Sequence, residues 1–547
     1  MNSKVISING CHDASVTFVD KNNQLRIFEY ERFCKVRYGV YRCSYDSNIL
    51  GTSEKVRDEF VDYIRMNIKE EPEILLFSEL DENDIRYFRT KFRSIRSHYR
   101  MGHHMSHCAG AYYQSGFDEA LVFSLDGGGL DYTDENNLNI RSYTVCEAKG
   151  SSINTIEHNF SIGYAFDPGI YGVFAYYISE VKKEKNEVGQ SDKMALTYAG
   201  KLMGLAAYGE ARKEWIDPVK EFFMHNPTDY ENYGEHISED LKRNIGIELY
   251  ENCFSGSDAY DFAATVQYVF EELCFSFMHP YIEKYNMNVV FSGGCAMNVL
   301  FNQKMYQYLD SKGLKFYVPP YPGDCGLSFG HFLYYQELRY DPSPYCGIDI
   351  LDRDKLKEYY QKYESQGKVI VSTIEKIVDL IKDGKIGAII QGYSEVGPRA
   401  LGNRSIICDP SFPDMKDVIN SKVKFREWYR PFAPVCREED KDIYFDNAFP
   451  SEYMSFAPLV KDEYRKLLPS ITHEDGSARL QTVKSDQHKL FYDILMELKT
   501  RGEISVIMNT SFNIKGKPIL STIEDSFYVL ENTELDFLVV ENLLFVK

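Results

Sequence analysis

A chain of 547 residues, 44% of them apolar, exceeds what one hydrophobic core usually covers, so two or more domains are expected. Its 62 Lys and Arg stand against 82 Asp and Glu, and the formal net charge of −20 argues against an extended nucleic-acid surface. Met1 to Val19 has no basic stretch before a long apolar run, no segment nears the roughly 20 apolar residues that span a bilayer, and no two cysteines form a CxxC pair. A cytoplasmic protein with free thiols, without a membrane span or structural zinc, is expected.

Taken in chain order, VISINGCHDASVTFVD reads as a strand, a polar turn holding His12 and Asp13, and a returning strand. MGHHMSHCAGAYYQSGF is helix-like, so His103 and His107, four apart, project from one face and can share a metal. No Glu follows the first His, so peptidase chemistry is not supported. ALVFSLDGGGLDYT, from Ala120, repeats the strand and polar turn, with Asp126, Gly127 and Gly128 in the turn. An element of this kind used twice is how actin-like nucleotide-binding folds place a phosphate loop in each lobe. Glu180 to Asp192 reads as an exposed loop. NVVFSGGCAMNVLFNQKMYQYL then gives a buried strand, a Gly293-Gly294 turn and a helix, a corner where backbone can approach a nucleotide. Asp324, in the glycine turn YPGDCGLS, joins Asp126 as a second carboxylate for the two histidines. A mixed imidazole and carboxylate set favours Fe(II), Mn(II) or Zn(II) over calcium. Such an ion binds nucleotide phosphates and polarises an acyl oxygen.

From about Tyr340 to Val371 the text turns polar, and the domain boundary is placed there: 1–345, a connector at 346–370, and 371–547. Beyond it, GKIGAIIQG, RSIICDP, ISVIMNTSF and LDFLVVENLLFVK are short apolar strands separated by helical stretches, a second α/β domain. QGYSEVGPRALGNRSIICDP and NSKVKFREWYRPFAP gather Arg399, Arg404, Lys422, Lys424, Arg426 and Arg430 among Gly397, Pro398, Gly402 and Pro431. Forked guanidiniums and glycine-rich turns match phosphate or carboxylate oxygens. A solvated basic face is the alternative.

These motifs together resemble the O-carbamoyltransferase family that decorates nodulation factors, cephalosporins and aminoglycosides such as tobramycin. INGCHDASVTFVD, FEYERFCKVRYG, GHHMSHCAGAYYQSGF, SLDGGG, AGKLMGLAAYG, DFAATVQ, FSGGCAMN, PGDCGLSFG, GPRALGNRSI, VKFREWYRPFAP and NTSFNIKGKPI follow in family order over nearly the whole chain. The resemblance implies an N-terminal actin-like (ASKHA, duplicated) domain for metal and nucleotide and a C-terminal YrdC-like α/β domain for carbamoyl phosphate and ATP. It implies His103, His107, Asp126 and Asp324 as metal ligands, Fe(II) first, and Gly127, Gly128, Gly293, Gly294 and Asn298 along the nucleotide. The basic cluster, with Asn509, Thr510 and Ser511, would bind carbamoyl phosphate and the phosphates of Mg-ATP, with Arg399 and Arg404 in catalysis. Carbamoyl-adenylate would form and its carbamoyl group pass to a hydroxyl of a small molecule, a sugar, nucleoside or secondary metabolite. His12 and Asp13 are the candidate base for that step.

Two departures stand out. Tyr393 replaces an Arg that relatives commonly carry after QG, so one phosphate contact is absent or supplied from elsewhere, and Val396 replaces a larger apolar residue. FDPGIYGVFAYYISEVKKEKNEVGQSD matches imperfectly where acceptor recognition could lie. A tRNA threonylcarbamoyl-type transferase and a non-catalytic actin-like nucleotide-binding regulator are the competing readings; the acidic charge weighs against the first and NTSF with the basic cluster against the second. A small-molecule hydroxyl acceptor and a homodimer are the expected partners.

Overall fold

The computed structural model describes residues 1–41, 53–132, 138–159, 168–183, 196–224, 248, 250–340, 343–514 and 516–547. Residues 184–192 of the expected exposed loop, and 166–167 with 184–192 of the stretch assigned to acceptor recognition, lie outside them. Two compact units result: 1–24 with 40–342, and 25–39 with 343–547. The expected boundary follows chain order; the early segment 25–39 instead groups with the second unit. A polar stretch marks where the chain leaves a unit, but carries no mark for a segment that leaves and returns.

The first unit is α/β and internally repeated. Strands β1 (Val5–Asn9) and β2 (Ser15–Val19) form an antiparallel hairpin, and β1 runs parallel to a later strand, Ile74–Ser78, which runs parallel to Ser97–Arg100. With Leu25–Glu29 as β3, these two are β4 and β5. The second sheet repeats the plan. Strand β6 (Glu119–Tyr132) pairs antiparallel with β7 (Leu138–Lys149), which pairs with β8 (Ser152–His158). On its other side β6 runs parallel to β9 (Val289–Ser292), and β9 to β10 (Phe316–Tyr317). The orders β2-β1-β4-β5 and β7-β6-β9-β10 are therefore equivalent, the duplication expected of this region. All five residues of β1 and of β2 are buried, as strands require when both sheet faces are covered.

Helix His103–Gln114 packs against helix Leu327–Gln336 in this unit, and glycine sets how closely. A Cβ on Gly330 would lie 2.0 Å from the Ser106 carbonyl oxygen, and one on Gly110 would lie 3.2 Å from the Gly330 Cα. The residues leading into these two helices are thereby brought side by side.

The second unit is built on one mixed sheet of eight strands, in the order β11-β20-β19-β12-β13-β18-β14-β17. These are Val369–Val371, Leu543–Val546, Phe537–Val540, Gly387–Ile390, Arg404–Cys408, Ile507–Ser511, Ala433–Arg437 and Gln481–Val483; β15 (Phe445–Asp446) and β16 (Leu459–Val460) form a separate ribbon. Alternate residues feed two apolar cores. Ala388, Ile390, Ile406 and Met508 face one, and Ile389, Ile407, Ile507 and Val539 face the other, under helices Ile374–Lys382 and Lys489–Thr500. The stretch expected as connector plus helix carries helix Leu356–Glu364, whose Tyr359 stacks on Phe527 with ring centroids 4.0 Å apart. Strand β3 enters this unit through the Ile27 N–H, which donates to the Cys346 carbonyl at 2.9 Å, and helix Tyr30–Cys34 follows. Among the described residues no helix is long and apolar enough to cross a membrane.

Candidate functional site

His103 opens its helix, and the i, i+4 spacing puts His107 one turn on, on the same face. Strand β6 contributes Asp126, and the turn Asp324–Gly326 ahead of helix Leu327–Gln336 contributes Asp324. All four are buried, and one ligand atom from each lies within 4.8 Å of the others. His107 Nε2 is 2.9 Å from Asp126 Oδ2 and 3.4 Å from Asp324 Oδ1; His103 Nε2 is 3.7 Å and 3.6 Å from the same atoms. Bonds of about 2.0–2.2 Å to a shared metal set neighbouring ligand atoms about 3–3.5 Å apart, so this donor set fits a transition-metal ion. Burial alone would depress the His107 imidazolium, but Asp126 and Asp324 carry it to about 9.

Neighbours fix these rings. A Cβ on Gly129 would lie 2.0 Å from His103 Cγ, so the third glycine of SLDGGG exists for the imidazole. Asp131, also on β6, accepts the His104 N–H at 2.9 Å at the helix start. His104 itself points elsewhere. Its Nε2 donates to the Arg141 carbonyl at 2.8 Å and its Nδ1 accepts from Ser124 Oγ at 2.9 Å, which fixes a neutral tautomer in a structural role. Burial, then the charges on His103 and His107, hold His104 well below the ordinary imidazole range.

The glycine turns converge on the same strand ends. Ser124 on β6 pairs with Ser292 on β9, so Asp126-Gly127-Gly128 and Gly293-Gly294 emerge from adjacent parallel strands. Gly293 has φ +87°, and a Cβ there would lie 2.2 Å from the Leu125 carbonyl oxygen. Asn298 caps helix Val299–Ser311 by accepting the Phe301 N–H at 3.1 Å, and its amide exchanges hydrogen bonds with Gln267 at 3.0 and 3.1 Å. His12 stands beside the metal-ligating candidates: its Nε2 is 3.4 Å from Asp324 Oδ2, its Nδ1 3.0 Å from Asp13 Oδ2, and its side chain is 40% exposed. Burial opposes the imidazolium, but Asp324 and Asp13 outweigh it and hold His12 well above its ordinary value.

In the second unit the basic residues part company. Arg399, Arg426, Arg430 and Arg479 sit close enough to repel: burial first, then Arg399, Arg426 and Arg430, hold Arg479 well below the guanidinium range. Burial and Arg430 lower Arg399 to about 10, and the same two causes depress Arg426. Lys424 joins them, depressed by burial and then by Arg426, Arg430 and Arg37. Its Nζ donates to the Ser511 carbonyl at 2.6 Å, to Ser511 Oγ at 3.1 Å and to Asn513 Oδ1. A π-helical turn, Ile419–Val423, and Phe425 at φ +51° give the backbone its irregular course between these cations.

Arg404 and Lys422 are not brought into the cluster. Arg404 is fully buried and its guanidinium donates to the carbonyls of Gln391, Gly392 and Asn403, while Lys422 is exposed. Asn509, on β18, donates to the Ala400 carbonyl at 2.9 Å and to Gln481 Oε1 at 2.8 Å, holding the residue next to Arg399; Thr510 is buried beside it. Sequence reasoning missed Arg479 and Gln267. Arg479 stands in SARLQTV with no second cation beside it, while Gln267 lay unused in the motif DFAATVQ.

Comparison with known proteins agrees over most of the chain. Residues 52–332 match the family model described as carbamoyltransferase N-terminus, and 378–547 the one described as carbamoyltransferase C-terminus. Nodulation protein NolO of Bradyrhizobium diazoefficiens is 31% identical over 80% of this chain and 78% of its own. An uncharacterised protein of Methanocaldococcus jannaschii is 31% identical over 81% of this chain and 73% of its own. Among solved structures, full-length HypF in its phosphate- and nucleotide-bound form covers 61% of this chain and 56% of its own at 12% identity and a TM-score of 0.34, too low to carry an argument.

Proposed function

The chain belongs to the carbamoyltransferase family, and from that premise we propose that it makes carbamoyl-adenylate from carbamoyl phosphate and ATP and transfers the carbamoyl group to a hydroxyl of a small molecule. The observation that carries this reading is the set of arginines in the second unit. Three of them, Arg399, Arg426 and Arg479, are disfavoured as cations by burial first and then by neighbouring arginines, Arg430 in every case. An anion with several oxygens among them would offset that mutual repulsion. Carbamoyl phosphate and the phosphates of ATP are anions of that kind.

The chemistry balances in three steps. Water hydrolyses carbamoyl phosphate to carbamate and phosphate; a carbamate oxygen attacks the α-phosphorus of ATP and pyrophosphate leaves; the acceptor hydroxyl attacks the carbamoyl carbon, its proton goes to the base, and AMP leaves. Carbamate alone is a resonance-stabilised anion and a poor acyl donor, so the mixed anhydride supplies the leaving group. The arginines offset charge gathering on phosphate oxygens in the second step, and burial keeps water from the anhydride. The Gly127-Gly128 and Gly293-Gly294 turns would present backbone to a nucleotide, and His12, hydrogen-bonded to Asp13, would take the acceptor's proton in its neutral form.

His103, His107, Asp126 and Asp324 would hold the divalent metal, with Fe(II) first and Mn(II) or Zn(II) as alternatives. When bound it would polarise acyl or phosphate oxygens and draw the charge of Asp324 away from His12.

Pyrophosphate release from ATP by the purified chain, with a divalent metal and without acceptor, tests the proposal. Release that requires carbamoyl phosphate is expected. No release with any of the three metals, in the presence of a panel of hydroxylated acceptors, would remove the adenylation step.

A further inference from the structure

Residues 25–39 are far in sequence from the loop that carries Arg399, yet belong to the same compact unit. Three of their side chains converge on that loop. The Arg26 guanidinium lies 3.4 Å from the centroid of the Tyr393 ring. Glu29 Oε1 accepts the Gly397 N–H at 3.2 Å, and Arg32 Nη2 donates to the Gly397 carbonyl at 2.6 Å. Glu29 and Arg32 also pair with each other, Oε2 to Nε at 3.2 Å, and are only 4% and 2% exposed. One buried ion pair thus grips both polar groups of a single residue.

Gly397 has φ +91°, and Arg399 lies two residues further on, so the direction of its side chain follows from the backbone held there. The far end of the loop is held as firmly. Glu395 Oε1 accepts the N–H groups of Leu401, Asn403 and Arg404 at 2.6, 2.8 and 3.2 Å. Burial opposes the charge of Arg32, but Glu29, Glu31 and Glu395 raise its pKa, so it faces carboxylates from its own helix and from the loop. A buried ion pair adds little stability over an apolar pair of the same volume, so its retention against this loop calls for a geometric reason.

We propose that Glu29 and Arg32 are positioning residues that clamp Gly397 and so aim Arg399 at the anion, with Arg26 bracing the preceding turn against Tyr393. The clamp deepens the reading of the arginine cluster as the carbamoyl phosphate site and rests on it. It also gives the segment 25–39 a role in the second unit's chemistry. At the turn before Gly397 it is this segment, through Arg26, that brings a guanidinium to Tyr393.

The test uses the full chain with Glu29→Gln/Arg32→Met, which removes both charges of the pair, and the milder Arg32→Lys, each with and without Arg399→Ala. Carbamoyl phosphate affinity is read by calorimetry, and amide exchange across 397–404 by mass spectrometry. The double variant should weaken binding on the order of tenfold, and this loss should vanish in the Arg399→Ala background. Exchange across 397–404 should quicken while β12 keeps its protection. Arg32→Lys, which keeps one donor for the Gly397 carbonyl, should recover part of both. Unchanged exchange in the loop, or losses that add fully to Arg399→Ala, would overturn the clamp. If the parent chain binds no carbamoyl phosphate, the reading of the cluster fails, and loop exchange alone then decides the clamp. Should the double variant lose protection throughout the sheet, Arg32→Lys decides by the same two readouts.

Discussion

At Gly129 one methyl group is enough to displace a metal-ligating candidate. A Cβ there would meet His103 Cγ at 2.0 Å, far inside contact distance, and His103 cannot yield because its helix is pressed on Gly330 behind it. Gly129→Ala should therefore cut bound metal by more than about tenfold, read by elemental analysis of the purified protein, although it changes no ligand. Gly200→Ala is the control: it lies in helix Leu196–Leu205 with nothing within 4 Å of the added Cβ, and should leave metal content unchanged. The same scale shows where residue type informs and where it does not. His103 and His107 could be paired from the text because helical spacing alone puts them on one face. Arg404 could not be told from Arg399, since a guanidinium that binds anions and one that satisfies buried carbonyls look alike in a basic run. Arg479 reaches the cluster from the approach to β17, a placement that only strand pairing reveals.

At the scale of elements, helix Lys489–Thr500 begins with an unusual cap, and that cap titrates. His488 Nδ1 accepts the Phe491 N–H at 3.1 Å, while Nε2 lies 3.2 Å from Asn403 Oδ1, so the neutral ring with its proton on Nε2 satisfies both. Burial lowers its pKa from 6.5 to about 4, against hydrogen bonds to backbone that raise it. The unfolded chain, with the higher pKa, takes up the proton first as pH falls. The stability tied to the neutral ring is therefore complete above pH 6.5 and is lost between pH 6.5 and 4, about 3 kcal/mol in all. Asn also caps helices and does not titrate, so His488→Asn should flatten the acid limb of urea-unfolding stability by about one proton. An unchanged slope would place the proton uptake on other groups, His473 first, which burial also lowers to about 4. The elements themselves were largely legible: glycine turns after apolar strands, and the repeated strand and polar turn, mark both sheets of the first unit. Strand β3 and the helix after it were not, because nothing in FEYERF says which of two cores its apolar residues will join.

Across the whole molecule, charge and site are opposed. A net charge of −20 repels extended polyanions, while the arginines of the second unit, in the proposed reading, would confine anion binding to a small ligand. The metal-ligating candidates belong to the other compact unit, so each constellation can be removed with the other's own readout intact. Arg479→Ala should weaken carbamoyl phosphate binding by more than about tenfold and abolish carbamoyl phosphate-dependent pyrophosphate release, with bound metal unchanged. His107→Ala should lose the metal and carbamoyl transfer to acceptor, yet keep carbamoyl phosphate affinity and pyrophosphate release. Calorimetry, elemental analysis and a pyrophosphate assay on the two full-length variants separate these outcomes. Loss of pyrophosphate release in both would mean that adenylation draws on His107 as well as on the arginines, and the division of the reaction between two units would then be abandoned.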